Sequence, residues 1–443
     1  MGTARGAGQS STLDQLHARL TLTVLGAWQR ASSLPLAARV ALIYAASRVW
    51  GWVIFSAVGL HQTYSPWKGA AMTYSEFVMI WDADWYATIA DTGYPSQLPL
   101  TDTGQVAQNE WAFYPLYPLV AGALTRVTGL SYQVVAPTLS LLAGFGAAWF
   151  IFRLFESSLA ARASNAAPAT ASAAQNTVSN IQTTALWGLA AVSFCAVAPI
   201  LQTGYAEAFG LLFLSWALYL LVQGRYGLLL IPALAAALSR PVGVPLGATV
   251  GIWWAVTVVR RARAEGIGRA LSTTIGQLAG ALAVCAFAFI HPVHAWLATG
   301  RIDAYTATET AWRTGGEHVS PFLPWLTQSQ NYLGQVVGPA VLVLLLAAYL
   351  LALTAPLTRA VLHPALLTWC AAYALYMLAF FNPQSSTFRL LLPLFPLLLP
   401  VVALSASQAY RWLLLGLGAT TQFGWVGWLW HWKQLPGGGD YPP

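Results

Sequence analysis

Trp81–Pro95 reads WDADWYATIADTGYP, and it decides how the rest of the chain is understood. Three carboxylates, Asp82, Asp84 and Asp91, sit there among aromatic residues, in a chain of 443 residues that is 57% hydrophobic and only 8% charged. A soluble domain is normally about a quarter charged. Acids retained in so apolar a chain call for a specific reason, either a partner or chemistry.

Apolar runs of roughly 20 residues flank this stretch and recur on either side, the length a helix needs to cross a bilayer. The first is about 38–60 and carries Arg48, which must face protein or a wet cavity. Others follow near 132–155, 182–201, 205–223, 226–240, 241–259, 271–291, 335–353, 364–381, 390–409 and 412–432. The expected fold is therefore an all-α polytopic membrane protein with about 11 transmembrane helices. A β-barrel would show alternating segments of about 10 residues instead. Residues 1–37 read as a cytoplasmic tail with an interfacial helix around Leu13–Trp28. Residues 38–432 read as one transmembrane catalytic domain, and 433–443 as a disordered extracytoplasmic tail. Ser164–Asn180 reads as a flexible low-complexity loop. Two long mixed loops, 61–131 and 292–333, interrupt the apolar pattern.

Charge placement orients this plan. The formal net charge is +7, but the basic residues fall in short clusters between apolar runs, which argues for cytoplasmic loops and against nucleic acid. With the N-terminus inside and 112–129 re-entrant, the inner side holds thirteen of the 21 Lys and Arg, including the cluster Arg260, Arg261, Arg263 and Arg269. The acids then gather on the opposite side, in and beside the two long loops. Chemistry is expected there, outside the cytoplasmic leaflet. The three cysteines, Cys195, Cys285 and Cys370, lie within apolar runs and read as buried hydrophobes.

The opening stretch resembles the PIG-V family, the GPI mannosyltransferase II type of GT-C glycosyltransferases, in its actinobacterial form. The resemblance is carried by Trp81-Asp82-Ala83, Trp85-Tyr86, Ile89-Ala90 and Gly93-Tyr94, followed by Phe113-Tyr114-Pro115-Leu116-Tyr117-Pro118. It continues in TGYAEAF with Tyr205 and Glu207, in LSRPVG with Arg240, and in SSTFRLLLPLFPL with Ser386, Arg389 and Pro396. It covers about residues 40–410. It implies a GT-C-like fold and a mannosyltransferase that inverts the anomeric centre. The donor would be polyprenyl-phosphate-mannose, and the acceptor an extracytoplasmic glycan, glycolipid or protein. A bacterial plasma membrane is the expected setting. The second acid, Asp84, is not a fixed feature of that pattern.

Such a transfer needs one carboxylate base and cations for the departing phosphate. Asp82 is the expected base; its plain alternative is a helix cap. Arg389 is the expected phosphate ligand, at a helix start that would add anion attraction. Arg240 is a second phosphate ligand or a structural partner of Glu207. Trp81, Asp84, Tyr86, Tyr94, Tyr205, Glu207, Arg313 and His318 complete the expected substrate-binding set, with Asp91 as a turn acid. His291 and His294 are weak metal candidates on spacing alone; no metal site is assigned, and dependence on a divalent metal stays open. The lipid donor also needs an apolar slot, for which 112–129 and the Pro-rich run 390–400 are the expected walls. Two other classes remain: a transporter or flippase of lipid-linked sugars, which would show internal repeats, and a non-catalytic subunit of a glycosyltransferase complex. No repeat is evident in the sequence.

Overall fold

The computed structural model describes residues 33–163, 171–313, 320–435 and 443. The expected interfacial helix at Leu13–Trp28, His318, and most of the tail at 433–443 lie outside these residues. Among the described residues the chain is helical, with one isolated β-bridge between Leu100 and Val106. The helices of eight or more residues are α1 Leu36–Gly59, α2 Asp82–Thr92, α3 Leu116–Thr128, α4 Tyr132–Ala163, α5 Ala171–Ser193, α6 Glu207–Val222, α7 Tyr226–Ala237 and α8 Gly243–Glu265. They continue with α9 Ile267–Phe287, α10 Ile290–Thr299, α11 Ala304–Ala311, α12 Leu323–Leu333, α13 Val337–Thr354, α14 Pro364–Phe380 and α15 Gln408–Gly424.

Five of these, α1, α4, α8, α9 and α13, are long and apolar enough to cross a membrane. The most apolar is α13, of which only 6% is buried inside the protein. Leu344, Leu345 and Leu351 stand exposed on it. A helix that is apolar all round and barely covered by its own chain belongs in lipid. These helices point to an integral membrane protein.

Several expected spans are shorter or differently bounded. The runs at 205–223, 226–240 and 364–381 become α6, α7 and α14, with 16, 12 and 17 residues. The run at 390–409 is not one helix. Pro393, Pro396 and Pro400 each lack an N–H, and the chain breaks into a turn Thr387–Leu390, a 3-10 segment Leu392–Leu397 and a short helix Leu398–Ala403. Segment 112–129 holds the 13-residue α3, about 20 Å long against the roughly 30 Å of a bilayer's hydrocarbon core, and the 12-residue α7 falls short in the same way. Of the stretch expected to be a flexible loop, residues 171–180 are helical and belong to α5.

One large core joins α1, α4, α5, α6 and α14 to the segments on either side of α2. Arg48, in the middle of α1, is buried and donates to the backbone carbonyls of Ser193 and Ala198. That satisfies the requirement that an intramembrane cation be turned toward protein. The two mixed loops carry helices: 61–131 contains α2 and α3, and 292–333 contains most of α10 together with α11 and α12. A smaller apolar cluster ties them together through Trp111, Ala295 and Ala304.

Candidate active site

Asp82 is the first residue of α2, and a strained turn delivers it. The preceding Trp81 has φ of 64° and ψ of −130°, a conformation that costs a side-chain-bearing residue roughly 1–3 kcal/mol. It is held there because its indole N–H donates to the Trp430 carbonyl at 2.7 Å and its ring lies 5.2 Å from that of Trp67. The Asp82 backbone N–H donates to the Tyr205 hydroxyl at 2.9 Å. Its carboxylate, at a helix start, is also favoured by the helix dipole.

From Asp82 a chain of alternating charges runs through the protein. Arg389 Nη2 lies 2.6 Å from Asp82 Oδ2, and its Nη1 lies 2.8 Å from Glu207 Oε1. Arg240 Nη2 reaches the same Glu207 oxygen at 3.0 Å. Arg389 also sits 5.2 Å above the Tyr205 ring, and Arg240 donates weakly to the Tyr86 hydroxyl at 3.4 Å. Asp82, Glu207 and Arg389 are all buried. Two acids and two cations leave the group neutral, as burial demands. Burial alone would lower the pKa of Arg389, but the Asp82 and Glu207 carboxylates outweigh it and hold the guanidinium charged. Glu207 Oε2 and Arg389 Nε, both buried, have no hydrogen-bond partner among the described residues.

Local sequence explains how each member arrives. Glu207 opens α6, and Arg240 follows α7 just before Pro241. A Cβ at Gly210 would stand 2.9 Å from Arg240 Cγ, so the glycine gives the arginine its path to Glu207. Arg389 is not at the start of a full helix as expected. It lies within the four-residue turn Thr387–Leu390, which is too short to supply a helix-end field. Its anion-binding capacity is that of the guanidinium itself.

The group forms part of a cavity of about 220 Å³ lined by Asp82, Tyr86, Glu207, Arg240 and Arg389 on one side. Phe113 and Tyr114 contribute from before α3, and Leu390, Leu392 and Pro393 from the Pro-broken run. The lining also includes Tyr305, Glu309 and Trp312 of the α11 segment and Tyr376 of α14.

Other expected site residues do not line this cavity. Asp84 is exposed on another face of α2, because two residues of helix turn it about 200° from Asp82. Asp91 is exposed near the end of the same helix. Trp81 and Tyr205 support Asp82 from behind. Tyr94 stacks on Trp111 at 4.3 Å and donates to the Phe113 carbonyl at 2.7 Å, which makes it a brace. Arg313 donates to the Phe380 carbonyl at 2.8 Å and pins α11 to α14. His291 has its Nε2 3.0 Å from the Trp111 carbonyl oxygen and its ring among Tyr94, Trp111 and Tyr114. Burial pushes its pKa down to about 4, so it is neutral there.

Sequence reading missed Glu309 and Tyr305. The signal was present: Tyr305, Glu309 and Trp312 follow the i, i+4, i+7 spacing of one helical face. No protein-family model matches this chain, and no curated protein matches it in sequence.

Proposed function

We propose that this protein is a membrane glycosyltransferase of the GT-C kind, an inverting mannosyltransferase that uses polyprenyl-phosphate-mannose. What supports the reading is one observation: Asp82, Glu207, Arg240 and Arg389 converge at a cavity walled in part by apolar segments. Two guanidiniums beside two carboxylates suit a phosphate next to a sugar. The proposed topology has the N-terminus in the cytoplasm, about eleven membrane segments counting the short helices, and the cavity on the extracytoplasmic side of a bacterial plasma membrane.

In the proposed reaction the donor phosphate takes up Arg389 and Arg240. That loosens Asp82 from its ion pair and leaves its carboxylate free to accept a proton. The acceptor hydroxyl oxygen then bonds to the anomeric carbon from the face opposite the phosphate. The bond from that carbon to the phosphate oxygen breaks, and its electron pair leaves with the polyprenyl phosphate. The hydroxyl proton passes to Asp82. The transition state resembles the oxocarbenium ion of glycoside hydrolysis, and the guanidiniums stabilise charge developing on the phosphate.

The test is reconstitution of the purified chain in liposomes with synthetic polyprenyl-phosphate-mannose and a panel of glycan, glycolipid and peptide acceptors. Transfer by the wild type that Asp82→Asn abolishes supports the reading. Absence of transfer to every acceptor, or a fully active Asp82→Asn variant, counts against it.

A further inference from the structure

The α11 side of the cavity differs in kind from the ion-pair side. Glu309 lines it, yet among the described residues no cation lies within ion-pair distance of its carboxylate. The two cations whose fields reach it are committed elsewhere: Arg313 to the Phe380 carbonyl, and Arg240 to Glu207. The titratable groups that face it are Tyr305 on its own helix, Tyr114 from before α3 and Tyr376 from α14. Burial pushes the Glu309 carboxyl up to about 7, with Tyr305, Arg313 and Arg240 pulling the other way.

Aromatic rings share the cavity lining with Glu309, among them Tyr114, Tyr305, Trp312 and Tyr376. Trp312 meets Trp85 edge-on at 5.5 Å and Phe113 at 5.6 Å, and Trp85 stacks on Phe113 at 5.8 Å. The Tyr305 hydroxyl is 3.1 Å from that of Tyr114. Aromatic faces are electron-rich and attract the C–H faces of a sugar ring, while hydroxyls need acceptors such as a carboxylate or a phenol.

We propose that Glu309, Tyr305 and Trp312 form an acceptor subsite for a sugar ring, so that the acceptor is a carbohydrate hydroxyl and not a protein side chain. The assignment of this sugar as acceptor rests on the transferase reading; its binding does not. Glu309 accepts hydrogen bonds from the ring hydroxyls and orients the attacking one toward Asp82 across the cavity.

The experiment measures binding and transfer separately. Purified full chain in nanodiscs is titrated with methyl α-mannoside, methyl β-glucoside and methyl β-galactoside, followed by saturation-transfer NMR at pH 6 and pH 8. At least one glycoside binds, more tightly at pH 8 than at pH 6. Glu309→Gln weakens that binding about tenfold, the worth of one charge-assisted hydrogen bond, and removes the pH dependence. Tyr305→Phe gives a smaller loss and serves where the Gln variant is poorly folded. No binding of any glycoside by the wild type, or unchanged binding in both variants, overturns the subsite. In the transfer assay, Glu309→Gln raises the acceptor KM and leaves the donor KM alone. Transfer to serine peptides in preference to glycosides overturns the sugar assignment while the transferase reading stands. Glu309-dependent sugar binding without any transfer keeps the subsite and removes the transferase reading.

Discussion

The two sides of the cavity handle charge in opposite ways. On one, Asp82, Arg389, Glu207 and Arg240 neutralise each other in series. On the other, Glu309 stands among tyrosines and a tryptophan with no ion-pair partner among the described residues. A paired carboxylate keeps its charge at the expense of its freedom. An unpaired one keeps its freedom but holds its proton until higher pH. The first arrangement suits a strong anion that can replace one member of the series. The second suits a neutral ligand rich in hydroxyls.

The comparison breaks first at Arg389. Arg389→Ala leaves Asp82 and Glu207 without a shared cation, and removing one partner of a buried ion pair costs about 3–5 kcal/mol. We expect a large fall in thermal stability in detergent and loss of donor-dependent transfer, with Arg389→Lys recovering only part of both. A variant that melts like the wild type would mean that the series is not a structural unit. Asp82→Asn comes next. Arg389 keeps Glu207, so stability falls less, while transfer falls by about 10²–10⁴, the usual worth of a general base. Single-turnover rates with saturating donor check this.

The other side is sharpened by pH. Glu309 is raised from 4.5 to about 7, so between those values the folded protein holds a proton that the unfolded chain has released. Stability therefore falls as pH rises through that window. Glu309→Gln lacks this penalty, so its melting temperature exceeds the wild type's by a few degrees or less at pH 8, and the two converge near pH 4.5. Parallel melting curves across pH would show that the carboxyl is not perturbed. The smallest effect is expected at Gly210. An added Cβ would crowd Arg240 and weaken donor binding by roughly 1 kcal/mol, about fivefold in KM.

Part of the site was legible before any coordinates. Asp82, Glu207, Arg240 and Arg389 stand out because charges are scarce in this chain and each lies in a stretch that resembles the PIG-V pattern. Asp84 and Arg313 stand out by that scarcity alone, yet they face away from the cavity or brace it. Glu309 was overlooked because its acid sits in a mixed segment where a charge is unremarkable. Only the helical spacing from Tyr305 to Trp312 could have marked it. Helix lengths in the Pro-broken run at 390–409 were also misjudged, since hydropathy does not register where Pro393, Pro396 and Pro400 stop the backbone from continuing.

By itself the sequence determined the apolar, helical character of the protein and the short roster of charges that burial would have to accommodate. Those are consequences of composition and local periodicity, which each residue carries with it. Tertiary structure alone decided that Asp82 meets Arg389, that Glu207 is shared by two arginines, and that Glu309 has none among the described residues. A buried charge must be neutralised, but the requirement does not name the partner. Partners so far apart in sequence are chosen by how the helices pack.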